Sequence, residues 1–148
     1  MADMESQTHA EVVRAPLDHC FDTIVDFDCY PEWFTAISTA SMIAADPATG
    51  TWTVEYTLNM LVKTISYTLS YTSTRPNRLV WESVRGDIKQ IRGVYELLEL
   101  EPGLTEATCT QSVDVGFWIP GPLKKAFEKT ALIDSVREFK GAAERTFT

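Results

Sequence analysis

The chain has 148 residues, a formal net charge of −8 and 45% hydrophobic residues. This length and composition suit one packed domain, so we expect a single domain over residues 1–148 with an ordered core at about 7–144. The acid excess argues against nucleic-acid binding, because neutralising phosphates requires clustered Lys and Arg. The three cysteines fit no metal spacing, and no apolar run is long enough to span a membrane. We therefore expect a reduced, cytoplasmic protein without metal or cofactor.

A strand and a helix are the first predicted elements. The strand covers Gln7 to Arg14, and its predicted inward positions are Thr8, Ala10 and Val12. Pro16 then starts a helix that runs to about Asp26, because proline suits the first turn of a helix. The apolar stripe of this helix consists of Leu17, Cys20, Phe21, Ile24 and Val25.

An aromatic segment follows this helix over residues 26–34, with the sequence Asp-Phe-Asp-Cys-Tyr-Pro-Glu-Trp-Phe. A proline among clustered aromatics at a helix end indicates a short helix-turn-helix, which we call the lid. Tyr30 and Pro31 are interpreted as the turn. Trp33 and Phe34 are the candidate contacts of the lid with whatever it covers.

From about Ala36 the apolar period changes to two, which predicts a sheet of antiparallel strands. Turn sequences such as Asp46–Gly50 and Arg75–Arg78 separate these strands. In the strand predicted over Ile88 to Glu101 both faces are partly apolar, so its inward face is not fixed by the pattern. The aromatic residues predicted on the inward face of the sheet are Trp52, Tyr56, Tyr67, Tyr71, Trp81 and Tyr95.

A long helix is predicted at the end of the chain, with Gly121 as its N-cap and Pro122 at its first helical position. The residues predicted to face the sheet are Leu123, Phe127, Leu132, Val136, Phe139 and Ala143. A twisted sheet curls, and one helix laid across it cannot fill the whole trough. An internal cavity is therefore expected between them.

This order of elements resembles the polyketide cyclase/dehydrase and lipid-transport family of the START-like, or SRPBCC, superfamily, in its coenzyme Q-binding-like branch. The residues that carry the resemblance are Ala15-Pro16, Asp26-Phe27-Asp28, Tyr30-Pro31-Glu32-Trp33-Phe34 and Gly93-Val94-Tyr95. The resemblance implies an α+β helix-grip fold, in which a curved antiparallel sheet of six to seven strands wraps around a long C-terminal helix. Two short helices lie between strands 1 and 2. It also implies a bacterial protein with a hydrophobic ligand.

The inward aromatics favour a partly wet cavity over an aromatic core, the alternative, because buried Tyr and Trp tips need polar partners. Gln111 is the best polar candidate in the trough, with a bond to a neighbouring side chain as the equal alternative. Phe117 is a candidate for the cavity mouth, with packing under the start of the last helix as the equal alternative. The predicted ligand-binding residues are Trp33, Phe34, Trp52, Tyr56, Tyr67, Tyr71, Trp81, Tyr95, Gln111, Phe117 and Phe127.

Other polar residues carry weaker predictions. Arg85 and Arg92 are candidates for orienting an enolate oxygen, although a solvated turn is favoured for Arg85. Ser83 has inward parity. His9 and His19 are expected on the surface, so no catalytic residue is assigned.

Lys124 and Lys125 lie in the first turn of the last helix, where the helix dipole disfavours cations. They are candidate contacts for an acidic lipid surface or an acyl-carrier protein, and simple solubility residues are the alternative.

The favoured function is the binding or transport of a hydrophobic small molecule, such as a lipid, an isoprenoid quinone or a polyketide-like aromatic. A polyketide aromatase/cyclase or dehydrase is the first alternative. A toxin-like module that contacts the ribosome or another protein is the second. No nucleic-acid partner is expected, and the exposed strand edges leave a monomer or a weak homodimer open.

Overall fold

The structure, a computed structural model, describes residues 6–59, 64–116, 118 and 120–147. The predicted order of elements is confirmed. The elements are β1 (Gln7–Val13), α1 (Leu17–Ile24), a 3-10 helix (Phe27–Cys29), α2 (Tyr30–Trp33), β2 (Ile37–Asp46), β3 (Thr51–Asn59), β4 (Thr64–Thr74), β5 (Arg78–Gly86), β6 (Gln90–Glu101), β7 (Leu104–Asp114) and α3 (Gly121–Thr146).

The seven strands form one antiparallel sheet in the order β1-β7-β6-β5-β4-β3-β2. Because β1 and β2 are the two edges, α1 and the lid carry the chain from one edge of the sheet to the other. Helix α3 packs mainly against β1 and β7, and it also touches α1 and α2. The central strands β3, β4 and β5 therefore keep a concave face that α3 does not cover.

Helix α1 is amphipathic as predicted. Cys20, Phe21 and Ile24 are buried, and Leu17 and Val25 pack partly against the same core. The helix ends at Ile24, two residues before the predicted end, and the backbone N–H of Val25 closes its last turn on the carbonyl of Phe21 at 3.1 Å.

The predicted inward face of β1 is wrong. The residues of this strand that face solvent are Thr8, Ala10 and Val12. The other face meets α3 through polar groups, because Gln7 Nε2 donates to the carbonyl of Lys125 at 3.2 Å and Arg137 Nε lies 3.3 Å from Glu11 Oε2. Polar residues of β1 such as Gln7 and Glu11 therefore face the charged side of α3. This reverses the usual pattern, in which the apolar residues of an antiparallel strand face inward and the polar ones face solvent.

The predicted surface placement of both histidines is also wrong, because each is half-buried where α3 packs. His9 Nε2 lies 2.5 Å from Glu11 Oε2 on β1. His19 Nε2 lies 2.9 Å from the carbonyl oxygen of Ala143 near the end of α3. Both histidines therefore join the helix–sheet framework.

The two halves of α3 differ in burial. In the second half Leu132, Val136, Phe139 and Ala143 are buried as predicted. Leu123 and Phe127 are instead 63% and 61% exposed, so the predicted inward face of the first half is wrong. Pro120, one residue earlier than predicted, is the N-cap. No helix of the described residues is long and apolar enough to cross a membrane.

Candidate ligand-binding cavity

A cavity of about 920 Å³ lies between the concave face of the sheet, the lid and α3. It exists because α3 packs toward β1 and β7 and leaves the central strands uncovered. Small-molecule sites in proteins commonly have volumes of roughly 300–1,000 Å³. The cavity therefore has room for a lipid chain or a polycyclic compound.

The cavity brings together most of the residues predicted from the sequence. Those on its wall are Trp33, Phe34, Tyr56, Tyr67, Tyr71, Trp81, Tyr95, Gln111 and Phe127. Trp52 does not line it, because its ring packs edge-on against Phe27 at a centroid distance of 5.4 Å. The prediction for Phe117 lies outside the described residues.

Tyr30 lines the cavity, although its predicted role was limited to the turn. It is buried, and its hydroxyl donates to the carbonyl oxygen of Ile24 at 2.5 Å. Its ring stacks on Tyr56 at a centroid distance of 5.9 Å. The lid is therefore continuous with the aromatic wall of the sheet and forms one side of the cavity.

Helix α3 contributes a polar rim that the sequence analysis missed. Its lining residues recur every three or four positions after Phe127, as one face of a helix does. They are Thr130, Ala131, Asp134, Ser135, Arg137, Glu138, Gly141 and Arg145. The helical spacing was present in the sequence, but small and charged residues at those positions do not register as an inward stripe.

The residue that directly follows the lid, Thr35, is fastened to this rim. The backbone N–H of Thr35 donates to Glu138 Oε2 at 3.1 Å, and the Thr35 hydroxyl donates to the same oxygen. Beside this contact the ring of Trp33 lies 6.2 Å from that of Phe139. We call the Thr35–Glu138 contact the latch.

A transverse row of paired residues runs across the sheet wall. Tyr71 on β4 is opposite Trp81 on β5, Trp81 is opposite Gly93 on β6, and Gly93 is opposite Gln111 on β7. A Cβ atom on Gly93 would lie 2.2 Å from the indole ring of Trp81. Gly93 therefore allows the indole to extend over β6, where its Nε1 donates to Gln111 Oε1 at 3.1 Å.

Gln111 consequently fulfils both of the alternatives considered for it, since it lines the cavity and has an internal partner. The sequence signal for this arrangement was a glycine in a strand interior, which commonly marks a close approach of another group.

The tyrosine hydroxyls of the wall fall into two kinds. Tyr56 and Tyr71 bond each other, oxygen to oxygen, at 2.8 Å. Tyr67 and Tyr95 have no hydrogen-bond partner among the described residues. Burial raises the pKa of Tyr56, Tyr67, Tyr71 and Tyr95 alike, so these hydroxyls stay protonated at neutral pH.

The thiols are also protonated at neutral pH. Cys109 lines the cavity, and burial raises its pKa. Hydrogen bonds to the carboxylates of Glu32 and Asp26 raise the pKa of Cys29 to about 12. Within the described ranges no group of three or more His, Cys, Asp or Glu side chains is placed to hold a metal ion.

The weaker polar candidates lie outside the cavity lining. Ser83 Oγ accepts a hydrogen bond from the backbone N–H of Ile91 at 2.9 Å, so its role is to hold β5 to β6. Arg85 and Arg92 are exposed and do not line the cavity. Lys124 lies 3.8 Å from Glu128 in an i,i+4 pair on the exposed half of α3.

Comparison with known proteins gives the class. The chain matches the family described as polyketide cyclase/dehydrase and lipid transport over residues 13–140, and it belongs to that family. No curated protein matches it in sequence.

Solved structures show the same fold at low sequence identity. A START superfamily protein from Mycobacterium smegmatis is 17% identical, with a TM-score of 0.85 over 95% of this chain and 97% of that one. The Zhui aromatase/cyclase from Streptomyces sp. R1128 is 14% identical, with a TM-score of 0.83 over 97% and 95% of the two chains. These likenesses confirm the α+β helix-grip fold.

Proposed function

We propose that this protein binds and carries an uncharged hydrophobic small molecule in the cavity without transforming it. The observation that supports the proposal most strongly is the aromatic wall, where tyrosine and tryptophan side chains surround about 920 Å³ of space. Burying apolar ligand surface there contributes about 25 cal/mol per Å². The few polar tips on the wall would orient the ligand without adding much affinity.

The protonation states of the wall support binding over catalysis. Enolisation and aldol chemistry require a base near neutral pH. The hydroxyls of Tyr67 and Tyr95 and the thiol of Cys109 all have raised pKa values because they are buried. The carboxylates that line the cavity, Asp134 and Glu138, lie on the α3 rim and not on the aromatic wall of the sheet. The wall itself, over the described residues, therefore offers no base.

A lipid chain, an isoprenoid quinone and a polyketide-like aromatic all suit this wall. Flat rings stack favourably on aromatic side chains, and an isoprenoid tail gains the same burial as any alkyl chain. A quinone as ligand would place the chain in the coenzyme Q-binding-like branch, which is part of this proposal.

Titration with a fluorescent fatty acid and a flat aromatic dye tests the proposal. Val113 lines the cavity, so Val113→Trp puts a large ring into the binding space. Val84 is exposed on β5 and lies outside that cavity, so Val84→Trp is the matched control. We expect saturable binding of at least one probe to the wild type and to Val84→Trp, and a loss of at least tenfold in Val113→Trp.

Absence of saturable binding to the wild type would count against the proposal. So would equal binding by the two tryptophan variants, because the probe would then occupy a site other than the cavity. Unfolding curves of both variants show whether each is folded during the titration.

An aromatase/cyclase is the second candidate. It is favoured by the likeness to the Zhui aromatase/cyclase, with its TM-score of 0.83, and by the unpartnered hydroxyl of Tyr95 in the cavity. This function predicts turnover of a poly-β-keto thioester that falls when Gln111→Met or Tyr95→Phe is introduced. A substrate that binds and is recovered unchanged supports the carrier.

A further inference from the structure

We propose that Gln111 and Tyr95 form a hydrogen-bonding anchor for an uncharged oxygen acceptor, such as a ketone or quinone carbonyl, on the hydrophobic ligand. The inference rests on the proposed function, and it adds the chemical class of the ligand and the residues that select it. Trp81 is the positioning residue of this anchor.

The orientation of the Gln111 amide is fixed by its partner. An indole N–H is a donor only, so the Gln111 atom that it meets at 3.1 Å is the amide oxygen. The amide nitrogen, with two hydrogens, is left to point elsewhere, and no partner for it occurs within the described ranges. Since Gln111 lines the cavity, that nitrogen offers hydrogen-bond donors to a ligand.

Tyr95 adds a second donor close by. In the register of β6 and β7, Tyr95 is opposite Cys109, and Gln111 lies two residues further along β7. Such diagonal neighbours lie about 7–8 Å apart, within reach of long side chains. Tyr95 is only 7% exposed and lines the cavity. Its hydroxyl has no hydrogen-bond partner among the described residues and is not one of the fully buried atoms, so it faces the cavity space.

The charge distribution argues for an uncharged acceptor. Every charged residue that lines the cavity in the described part of the chain belongs to α3, and the sheet wall around Gln111 carries none. A carboxylate placed against Gln111 would lose its hydration without gaining a cation. A carbonyl oxygen has a much smaller desolvation cost and accepts from both donors.

A pair of probes that differ only in the carbonyl tests the anchor. Fluorene and 9-fluorenone share one flat tricyclic skeleton, and fluorene-9-carboxylate supplies a charged third probe. In equilibrium dialysis the wild type is expected to bind fluorenone about 3- to 10-fold more tightly than fluorene, the value of one net hydrogen bond. The carboxylate is expected to bind more weakly than fluorenone.

Gln111→Met keeps the length of the side chain and removes the amide, so the preference for fluorenone should fall in that variant to what the Tyr95 hydroxyl alone supplies. Thr110→Val is the matched control, because Thr110 is the adjacent residue and bonds Thr8 on the opposite face of β7. Its preference should equal that of the wild type. Trp81→Phe removes the indole donor, and it should reduce the preference while fluorene binding persists.

The carbonyl stretch of bound fluorenone gives a measurement that needs no variant. Hydrogen bonding lowers this infrared frequency, so the bound probe should absorb below its frequency in hexane. An unshifted band, equal affinities for the two neutral probes in the wild type, or tighter binding of the carboxylate would overturn the anchor alone. Failure of both neutral probes to bind would overturn the anchor, and it would remove the proposed function as well if the fatty acid and the aromatic dye also fail to bind.

Discussion

The two halves of α3 face different tasks within one continuous helix. Residues 132–146 pack into the core, where Leu132, Val136 and Phe139 are buried. Residues 121–131 expose Leu123 and Phe127, yet Phe127 also lines the cavity. Both halves therefore border the binding space, but the buried residues that α3 adds to the core come from the second half.

Polar contacts with β1 and with the residue that follows it also hold the second half. Lys140 Nζ donates to the carbonyl of Val12 at 2.8 Å and to Glu144 Oε2 at 2.6 Å. The backbone N–H of Arg14 donates to the same carboxylate group at 2.9 Å. The difference teaches that one helix can border a cavity along its whole length while only part of that helix packs into the core.

Phe139→Ala, in the buried half of α3, should change the free energy of unfolding far more than a matched truncation in the exposed half. Phe139 is fully buried between Trp33 and Tyr95, so truncation should lower the free energy of unfolding by about 3–5 kcal/mol. Phe127→Ala removes an exposed ring and should change it by less than about 0.5 kcal/mol. Urea denaturation measures both, and equal losses would break the distinction between the two halves.

His19→Ala tests how firmly the end of α3 is held. The His19 ring bonds the carbonyl oxygen of Ala143, one of the terminal helix carbonyls. Its removal should cost about 1 kcal/mol. Hydrogen exchange should accelerate in the last turns of α3 and stay unchanged in residues 121–131. Uniform acceleration along the helix would show that the two halves unfold together.

The latch lies in the second half of α3, and Glu138→Ala tests its role. Removing this partly exposed contact should lower the free energy of unfolding by about 1 kcal/mol or less. The main expected effect is faster ligand release, because Thr35, directly after the lid, loses its hydrogen bonds to α3. Stopped-flow release of the bound dye measures the rate. Asp134→Ala, on the same rim, is the control and should release the dye at the wild-type rate.

Glu11→Gln gives the smallest expected effect, at the contact of β1 with α3. Hydrogen bonding from His9, with a smaller contribution from Arg137, holds the pKa of Glu11 below its ordinary value of 4.5. A lowered folded-state pKa stabilises the protein above pH 4.5, and this contribution is lost as the pH falls through the lowered pKa. The melting temperature of the variant should therefore lie slightly below wild type at pH 7 and approach it near pH 3. A gap that widens on acidification would contradict the assignment.

The sheet and its aromatic wall were predictable because alternation over long strands fixes which side chains share a face. Tyr56, Tyr71 and Trp81 were placed on the inward face from this period alone. Trp52 shares that face but lies where Phe27 covers the sheet, and the strand pattern carries no information on which part of the face the lid covers.

The failures have a common physical cause. On β1 and along the rim of α3 the inward residues are polar, as Glu11 and Glu138 illustrate, because they bond to another element across the interface. A prediction that places apolar residues inward therefore assigns the wrong inward face to β1 and misses the polar rim of α3. The partners that reverse the pattern come from more than 100 residues away in the chain, so local sequence cannot reveal them.

Native mass spectrometry of the protein purified from its own host tests the central claim most directly. We predict one apolar, uncharged small molecule per chain in the wild type and in Val84→Trp, and its absence from Val113→Trp, whose cavity is filled. The bare protein mass in all three samples, together with no uptake of fluorenone added to the purified wild type, would contradict the claim that the cavity is a ligand-binding site.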